Sequence, residues 1–478
     1  MKKNFFLIGC IAFPILAVIA FFIGLKQPFN RDDYSKPVKS NSWLQISPNG
    51  MVMDYNEVEY GFMGKFTSVD DICSKIKKAA FDNNIKGIYI KPGFIQINTT
   101  GINEIGTAIS EFKQTGKPVL AFLDMQSQKD YLLASYADKI GMEPSASAGL
   151  FFDGVQANIS FYKNLLDKLG LKINVIKSGT YKGYGETYSS TSLSSETHSN
   201  LKDVLGDRYI LIIDKISKQR KLSTEQVKDI FEKRPDLFIS ANYAKEVGLI
   251  DDVVTKDAFL KQNNIEKKQL LLINDYSSAS INKSVKNKIA VCYLQGSITP
   301  KIASQLPEGI NSDKVQNIIE QIQKDKSIKA VVLRINSPGG SALESDIIYK
   351  KMEQLKSQLP IVVSMGGVAA SGGYYISAPA DYIVADPFTI TGSIGVIQLL
   401  PDATELGKKI GINNQTIAYG KFADAYNFLT PPSSELLVSL QRSSDNVYNE
   451  FKQRVVKYRK IDYDELENLA GGRIWSAE

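Results

Sequence analysis

Apolar and polar positions along the chain fall into two alternating rhythms. In the rear half, Ile289–Leu294, Ala330–Asn336 and Ile361–Met365 are short, β-branched apolar runs and predict strands. Between them, Lys314–Gln323 and Leu343–Leu355 place apolar residues at helical spacing. Leu437, Leu440, Val447, Phe451, Val455 and Tyr458 recur in the same way and predict a long later helix, read as core positions with no chemical role. Strand–helix alternation implies βαβ units and a largely parallel sheet, an α/β fold.

The pattern occurs twice. Ile85–Ile90 matches Ile328–Leu333, Ala137–Ile140 matches Ala380–Ile383, and Glu143-Pro144 matches Asp386-Pro387, all at one spacing. Lys218–Lys221 then matches Lys457–Lys460, and Phe238–Ala241 matches Ile474–Ala477, with the spacing drawn in by a few residues. Five matches in order predict a tandem duplication, with repeat 1 over residues 50–275 and repeat 2 over 289–478. The Ser-, Asn- and Lys-rich stretch 276–288 reads as the linker. Repeat 1 runs on past the point matching Glu478, so repeat 2 reads as incomplete at its C-terminal end.

Ahead of both repeats, Phe5–Leu25 is an unbroken apolar run flanked by Lys2, Lys3 and Lys26. A spanning helix needs roughly 20 apolar residues, and a cleaved signal usually has a shorter core with a small-residue cleavage site. An uncleaved signal anchor over 5–25 is therefore expected, with a cytoplasmic stub at 1–4 and a polar tether over 26–49. The two lysines favour the short end inside and the body outside the cytoplasm.

Composition narrows the chemistry. Lys plus Arg number 57 and Asp plus Glu 51, a net charge of +6 with no basic block, so nucleic acid is not implied. Three scattered cysteines make neither a disulfide framework nor a zinc site. The single histidine, His198, excludes a two-histidine metal motif and sits in a polar run that reads as a helix start. A serine nucleophile here would need another base. A lysine whose pKa is lowered by burial can serve, although composition does not say which one.

Two segments could carry such a nucleophile. In Ser364–Tyr375 a buried strand passes through small residues into a helical stretch at Ser371. A serine there meets free N–H groups and the positive end of a helix, and it reads equally as a plain N-cap. In Arg334–Ser341 a strand ends in Ser337-Pro338-Gly339-Gly340, whose amides could form an anion nest or simply a turn.

Together with Thr391-Gly392-Ser393-Ile394-Gly395, these segments resemble the signal peptide peptidase A family, and the duplication and anchor resemble its long form. The resemblance covers nearly the whole chain beyond the anchor. It implies two tandem Clp protease/crotonase-like ββα superhelical repeats. It also implies a serine endopeptidase with a Ser-Lys dyad that degrades cleaved signal peptides and other apolar peptides. By that resemblance Ser371 is the nucleophile, and Lys182, in Gly179-Thr180-Tyr181-Lys182, is the general base. Ser393 orients the lysine, and the Gly339 and Ser371 N–H groups hold the oxyanion. The family's lysine motif often continues with Ser-Ala and Glu-Pro, whereas here it reads Gly183-Tyr184-Gly185-Glu186-Thr187. No metal or cofactor is implied. The family resemblance further implies a homotetramer on the periplasmic face of a bacterial inner membrane, anchored singly through 5–25. Counting back from the shared Ala-Asp pair puts Gln128 at the place of Ser371, counting on from Gly420 puts Ala423 at that of Lys182, and the repeat spacing puts Leu150 at that of Ser393. Each repeat would then hold one half of one dyad. The rival readings are a crotonase-like acyl-CoA enzyme and a catalytically inactive membrane scaffold of the same fold.

Overall fold

The computed structural model describes residues 38–56, 67–277, 286–301 and 309–477. The stub, the expected anchor over 5–25 and most of the 276–288 linker lie outside the described residues. No helix among the described residues is long and apolar enough to cross a membrane.

The front half contributes strands β1 (Ser42–Ile46), β2 (Ile85–Ile90), β3 (Val119–Leu123), β4 (Lys139–Met142), β5 (Lys172–Ser178), β6 (Asp252–Val253) and β7 (Leu270–Leu272). Six of them form a parallel sheet in the order β6-β4-β3-β2-β1-β7. Every residue of β3, Val-Leu-Ala-Phe-Leu, is buried, as a central parallel strand covered on both faces requires. Helix α1 (Val69–Ala80) shows the covering logic. Ser68 caps it by accepting from Asp71 N, and Val69, Ile72, Ile76 and Ala79 bury one stripe. Helices α2 (Thr99–Lys113), α3 (Gln128–Ala134) and α4 (Ser195–Arg220) follow.

Strand β1 corrects the expected tether. Residues 42–46 run between β2 and β7, with Trp43, Leu44 and Ile46 buried. A five-residue strand set among Ser, Asn, Lys and Pro leaves the local average polar, so the apolar signal of three residues is masked.

The rear half repeats the plan with β8 (Lys288–Gln295), β9 (Ile328–Ser337), β10 (Ile361–Ala370), β11 (Tyr382–Val384), β12 (Ile390–Gly392), β13 (Val396–Asp402) and β14 (Ile474–Ser476). Its sheet runs β8-β9-β10-β12-β14, with β11 also on β10, and only β14 is antiparallel to its neighbour. Helices α5 (Ser312–Lys324), α6 (Ala342–Lys356) and α7 (Gly372–Ser377) cover it, and α8 (Ser434–Arg459) packs against β5, β13 and α7. Strand β10 outruns its expected end at Met365 because Gly366 and Gly367 continue it through a register shift rather than ending it. A Cβ on Gly366 would sit 2.7 Å from Asp54 Oδ2, and one on Gly367 2.8 Å from Asn98 Cγ, so the front half packs directly onto this kink.

Two devices join the halves. Strand β5 pairs antiparallel with β13 along its whole length, from Lys172↔Asp402 to Ser178↔Val396. Arg334 on β9 meets Asp54 at 3.3 Å and also Glu104, both from the front half. It also donates to Ser364 Oγ and Met365 O at 3.1 Å. Burial raises the Glu104 pKa even though Arg334 opposes that shift. Removing the cation would strand one buried carboxylate, Asp54, and one half-buried carboxylate, Glu104. Arg334→Met is expected to lose about 3 kcal/mol at neutral pH by urea unfolding. The loss should shrink towards about pH 4, as Glu104, already shifted up, takes a proton.

Candidate active site

The site is built where the β5–β13 pairing ends. Past Ser178 the front-half chain turns at Gly179 (φ +118°) and runs through Thr180 and Tyr181 to Lys182. Just before Val396, the rear-half chain carries Ser393, Ile394 and Gly395. The strand register therefore delivers Lys182 to Ser393. Lys182 Nζ lies 2.9 Å from Ser393 Oγ, 2.8 Å from the Ser393 carbonyl and 3.1 Å from Ser371 Oγ. The lysine is 8% exposed, and burial alone pushes its pKa from 10.5 down to about 8. All three polar partners are uncharged oxygens. A neutral amine can donate its two protons to Ser393 and turn its lone pair to the Ser371 hydroxyl.

Ser371 stands where β10 breaks into α7. Its backbone is strained for a residue with a Cβ, at φ 53° and ψ −121°. It occupies the N-cap position but makes no side-chain capping hydrogen bond, so its hydroxyl is left for Lys182. This decides against the plain N-cap reading. In the front half, Ser127 is the N-cap of α3, with relaxed angles (φ −72°, ψ 165°) and a complete capping box with Asp130. Counted by secondary structure, Ser127 rather than Gln128 is the counterpart of Ser371. Helix α3 is one residue longer than α7, which shifts a count made back from the Ala-Asp pair. Leu150 is a fully buried core residue, and Ala423 is exposed on a turn. His198 lies exposed in the first turn of α4, as its sequence context predicted.

The expected oxyanion donors need correction. The Gly339 N–H is directed to Ser337 Oγ at 3.2 Å, in buried surroundings. The Ser371 N–H donates to the Gly392 carbonyl at 2.8 Å as part of the sheet. Gly340 and Gly372 line the cavity beside Ser371, and Gly339 does not. Gly372 opens α7, so its N–H has no intrahelical acceptor. The direction of a backbone N–H leaves no trace in composition, so the sequence alone does not show that the Gly339 and Ser371 amides are engaged elsewhere.

The cavity, about 310 Å³, has Lys182 and Ser371 at its mouth. Ala342, Tyr375, Val396, Ile397, Val447 and Phe451 give it an apolar wall. Val447 and Phe451 were read as core alone. Their i, i+4 spacing on α8 is the signal that they share a face, but only tertiary packing turns that face to the nucleophile. The altered sequence after Lys182 also finds its reason here. A Cβ on Gly183 would fall 2.5 Å from Thr197, and one on Gly185 would fall 2.5 Å from Val175. Glu186 accepts from Ser194 N at 2.9 Å and from Thr197 Oγ1 at 3.1 Å, tying the lysine loop to the start of α4.

A family model for peptidase family S49 matches residues 111–270 and 353–478, one stretch in each half. A Clp protease family model matches residues 296–384. The chain is 33% identical over 428 residues to Protease 4 of Haemophilus influenzae, an alignment spanning 85% of this chain and 68% of that protein. It is 32% identical to Protease 4 of Salmonella typhi, over 86% of this chain and 68% of that protein. With the chloroplastic Serine protease SPPA of Arabidopsis thaliana it shares 29% identity, over 92% of this chain and 66% of that protein. The chain thus spans about two thirds of the length of these relatives.

The depressed pKa of Lys182 carries a stability cost with a definite pH window. Below about pH 8 both folded and unfolded chains carry the ammonium, and burying it costs roughly 3 kcal/mol. As pH rises from about 8 to 10.5 the folded chain sheds the proton first, and the cost is relieved. Lys182→Met should therefore melt above wild type at pH 7, by thermal unfolding, with an advantage that fades steadily towards pH 10.

Proposed function

This chain belongs to peptidase family S49 and is a serine peptidase, a hydrolase of peptide bonds; from that premise we propose that it is an endopeptidase working through a Ser371–Lys182 dyad. The supporting observation is the 3.1 Å approach of a buried amine to a serine hydroxyl that is released from capping duty. Lys182, neutral, takes the Ser371 proton as Oγ attacks the peptide carbonyl. The amides of Gly340 and Gly372, two residues that line the cavity, would hold the developing oxyanion. Lys182, now protonated, gives that proton to the leaving amine. A water then loses its proton to the same Nζ, attacks the acyl group and restores Ser371. Ser393 holds Nζ through its hydroxyl and carbonyl, which fixes the lone pair towards Ser371.

The apolar wall formed by Tyr375, Val447 and Phe451 suits an apolar side chain next to the scissile bond, as in signal-peptide cores. Among the described residues, the cavity lining includes no carboxylate, which a crotonase-like acyl-CoA reading would call for. The site sits within stacked ββα units of the superhelical kind. The Phe5–Leu25 segment would tether this body to the outer face of a bacterial inner membrane, close to such substrates.

Self-assembly into a homotetramer belongs to the same reading. The internal β5–β13 ribbon takes one strand from each half. By the duplication, the complementary stretches are residues 153–159 in the front half and 413–419 in the rear, and neither is in a strand. Ile417 is 86% exposed and Tyr419 94%. A second copy offers each stretch the partner its counterpart already has, and repetition of such a heterologous contact closes a ring.

Two measurements test these statements. On a quenched fluorogenic apolar peptide, Ser371→Ala and Lys182→Ala should each lower kcat/KM by about a thousandfold or more. The wild-type rate should rise with pH to a midpoint near 8, where Lys182 becomes neutral. Equal turnover by all three proteins, or a flat profile from about pH 6 to 9, would remove the dyad. By light scattering after gel filtration, Ile417→Asp with Tyr419→Lys should convert the assembly to single chains. An unchanged mass would exclude this edge as the interface.

A further inference from the structure

The turn Gly471-Gly472-Arg473, leading into β14, threads between the two loops that meet at the dyad. Tyr181 N, one residue before Lys182, donates to Gly471 O at 2.7 Å. On the other side Gly472 N donates to Ile394 O at 2.7 Å, and Ser393 N donates to Arg473 O at 2.6 Å. A three-residue segment is thus hydrogen-bonded to the base's loop on one flank and to the loop of its orienting serine on the other.

The fit admits nothing larger. Gly472 has φ +85°, and a Cβ there would lie 2.7 Å from Lys182 N and 2.9 Å from Lys182 Cα and Cβ. A Cβ on Gly179 would strike the Gly471 carbonyl at 2.6 Å, and one on Gly395 would come within 3.1 Å of Gly472. Lys182 can reach Ser393 only because three glycines let three backbones meet. The segment is gripped from behind as well, since Gly471 N donates to Tyr448 OH at 2.9 Å. Tyr448 lies on α8 beside Val447, which faces the cavity. In the front half the corresponding residues are Pro235-Asp236-Leu237, so the glycine pair occurs only in the half that closes on an amine.

We propose that Gly471–Arg473 is a positioning element for the reaction, a backbone wedge that sets where Lys182 Nζ stands relative to Ser371. Gly472 is its contact point and Tyr448 its anchor. None of these groups touches substrate; they act through Lys182. A displaced lysine would lose its fixed lone pair and admit water, which moves its pKa back towards the solvent value.

The inference rests on the dyad reading, and the experiment separates the two. Full-length wild type, Gly472→Ala, Tyr448→Phe, Lys182→Ala and Ser371→Ala are assayed on one quenched apolar peptide across pH. Circular dichroism serves as the folding control. Gly472→Ala should lower kcat about 10- to 100-fold with KM within about twofold of wild type. It should also move the acid-limb midpoint of kcat upward by about half a pH unit or more. Tyr448→Phe should move both quantities in the same direction by a smaller amount. A folded Gly472→Ala with wild-type kcat and midpoint overturns the proposal, as does a fall in kcat with an unmoved midpoint. Should Gly472→Ala fail to fold, an unmoved midpoint in Tyr448→Phe overturns it. Activity surviving in Lys182→Ala or Ser371→Ala would instead bring down the dyad itself.

Discussion

An amine buried with no counter-charge is the constraint around which this molecule is arranged. Lys182 has three oxygen neighbours and none is a carboxylate. A carboxylate partner would keep the ammonium charged and useless as a base near neutral pH, whereas burial alone favours the neutral form. Burial of this kind needs walls on every side, and neither half of the chain supplies enough of them. The lysine arrives on the loop that leaves the front half's β5, while its surroundings come from the Ser393 loop before β13 and the turn leading into β14. The antiparallel ribbon between halves is therefore what makes a low-pKa lysine possible. The Arg334 cluster ties the same two halves together beside the β10 kink that leads to Ser371.

The duplication shows how an ordinary helix cap differs from the serine proposed as nucleophile. Ser127 and Ser371 both precede a short helix that leaves a parallel strand. Ser127 has relaxed dihedrals and its hydroxyl is engaged twice with Asp130, at Oδ2 and N. Ser371 has a left-handed φ, and its hydroxyl is turned away from the helix it caps. Strain of this kind costs on the order of 1–3 kcal/mol and persists only where packing over-determines it. Here the packing is the β10–β12 pairing through Ser371 N and Gly392 O, with Gly372 and Gly373 pressed against Ser345 and Ser337. The capping bond forgone at Ser371 leaves its hydroxyl to Lys182.

Much of this was legible in the chain. The tandem α/β plan followed from strand–helix alternation and from five ordered internal matches, and Lys182, Ser371 and Ser393 were singled out by short motifs. What the sequence concealed shares a physical cause: it depends on direction rather than identity. Strand β1 is too short to lift its polar surroundings. Val447 and Phe451 sit on an apolar stripe whose partner, core or cavity, is chosen by the packing of α8. The proposed one-residue displacement of the oxyanion donors, from Gly339 and Ser371 to Gly340 and Gly372, is a matter of peptide orientation.

That displacement follows from sterics that only glycine permits. A Cβ on Gly339 would stand 2.5 Å from Gly372 N, so the Ser-Pro-Gly-Gly turn is pressed against the start of α7. A Cβ on Gly340 would stand 2.0 Å from Ile298 O, and Ile298 holds the turn from behind by donating to Gly339 O and accepting from Ser341 N. Gly339 N is committed to Ser337 Oγ and the Gly339 carbonyl to Ile298 N, which leaves the Gly340 N–H as the next donor along the turn. The two sides of the site are thus held by different forces. The base side depends on desolvation and is tuned by anything that admits water. The oxyanion side depends on contact between backbones and is tuned by side-chain volume. A change that loosens one need not move the other, so the pKa of the base and the strength of oxyanion binding can vary independently on this fold.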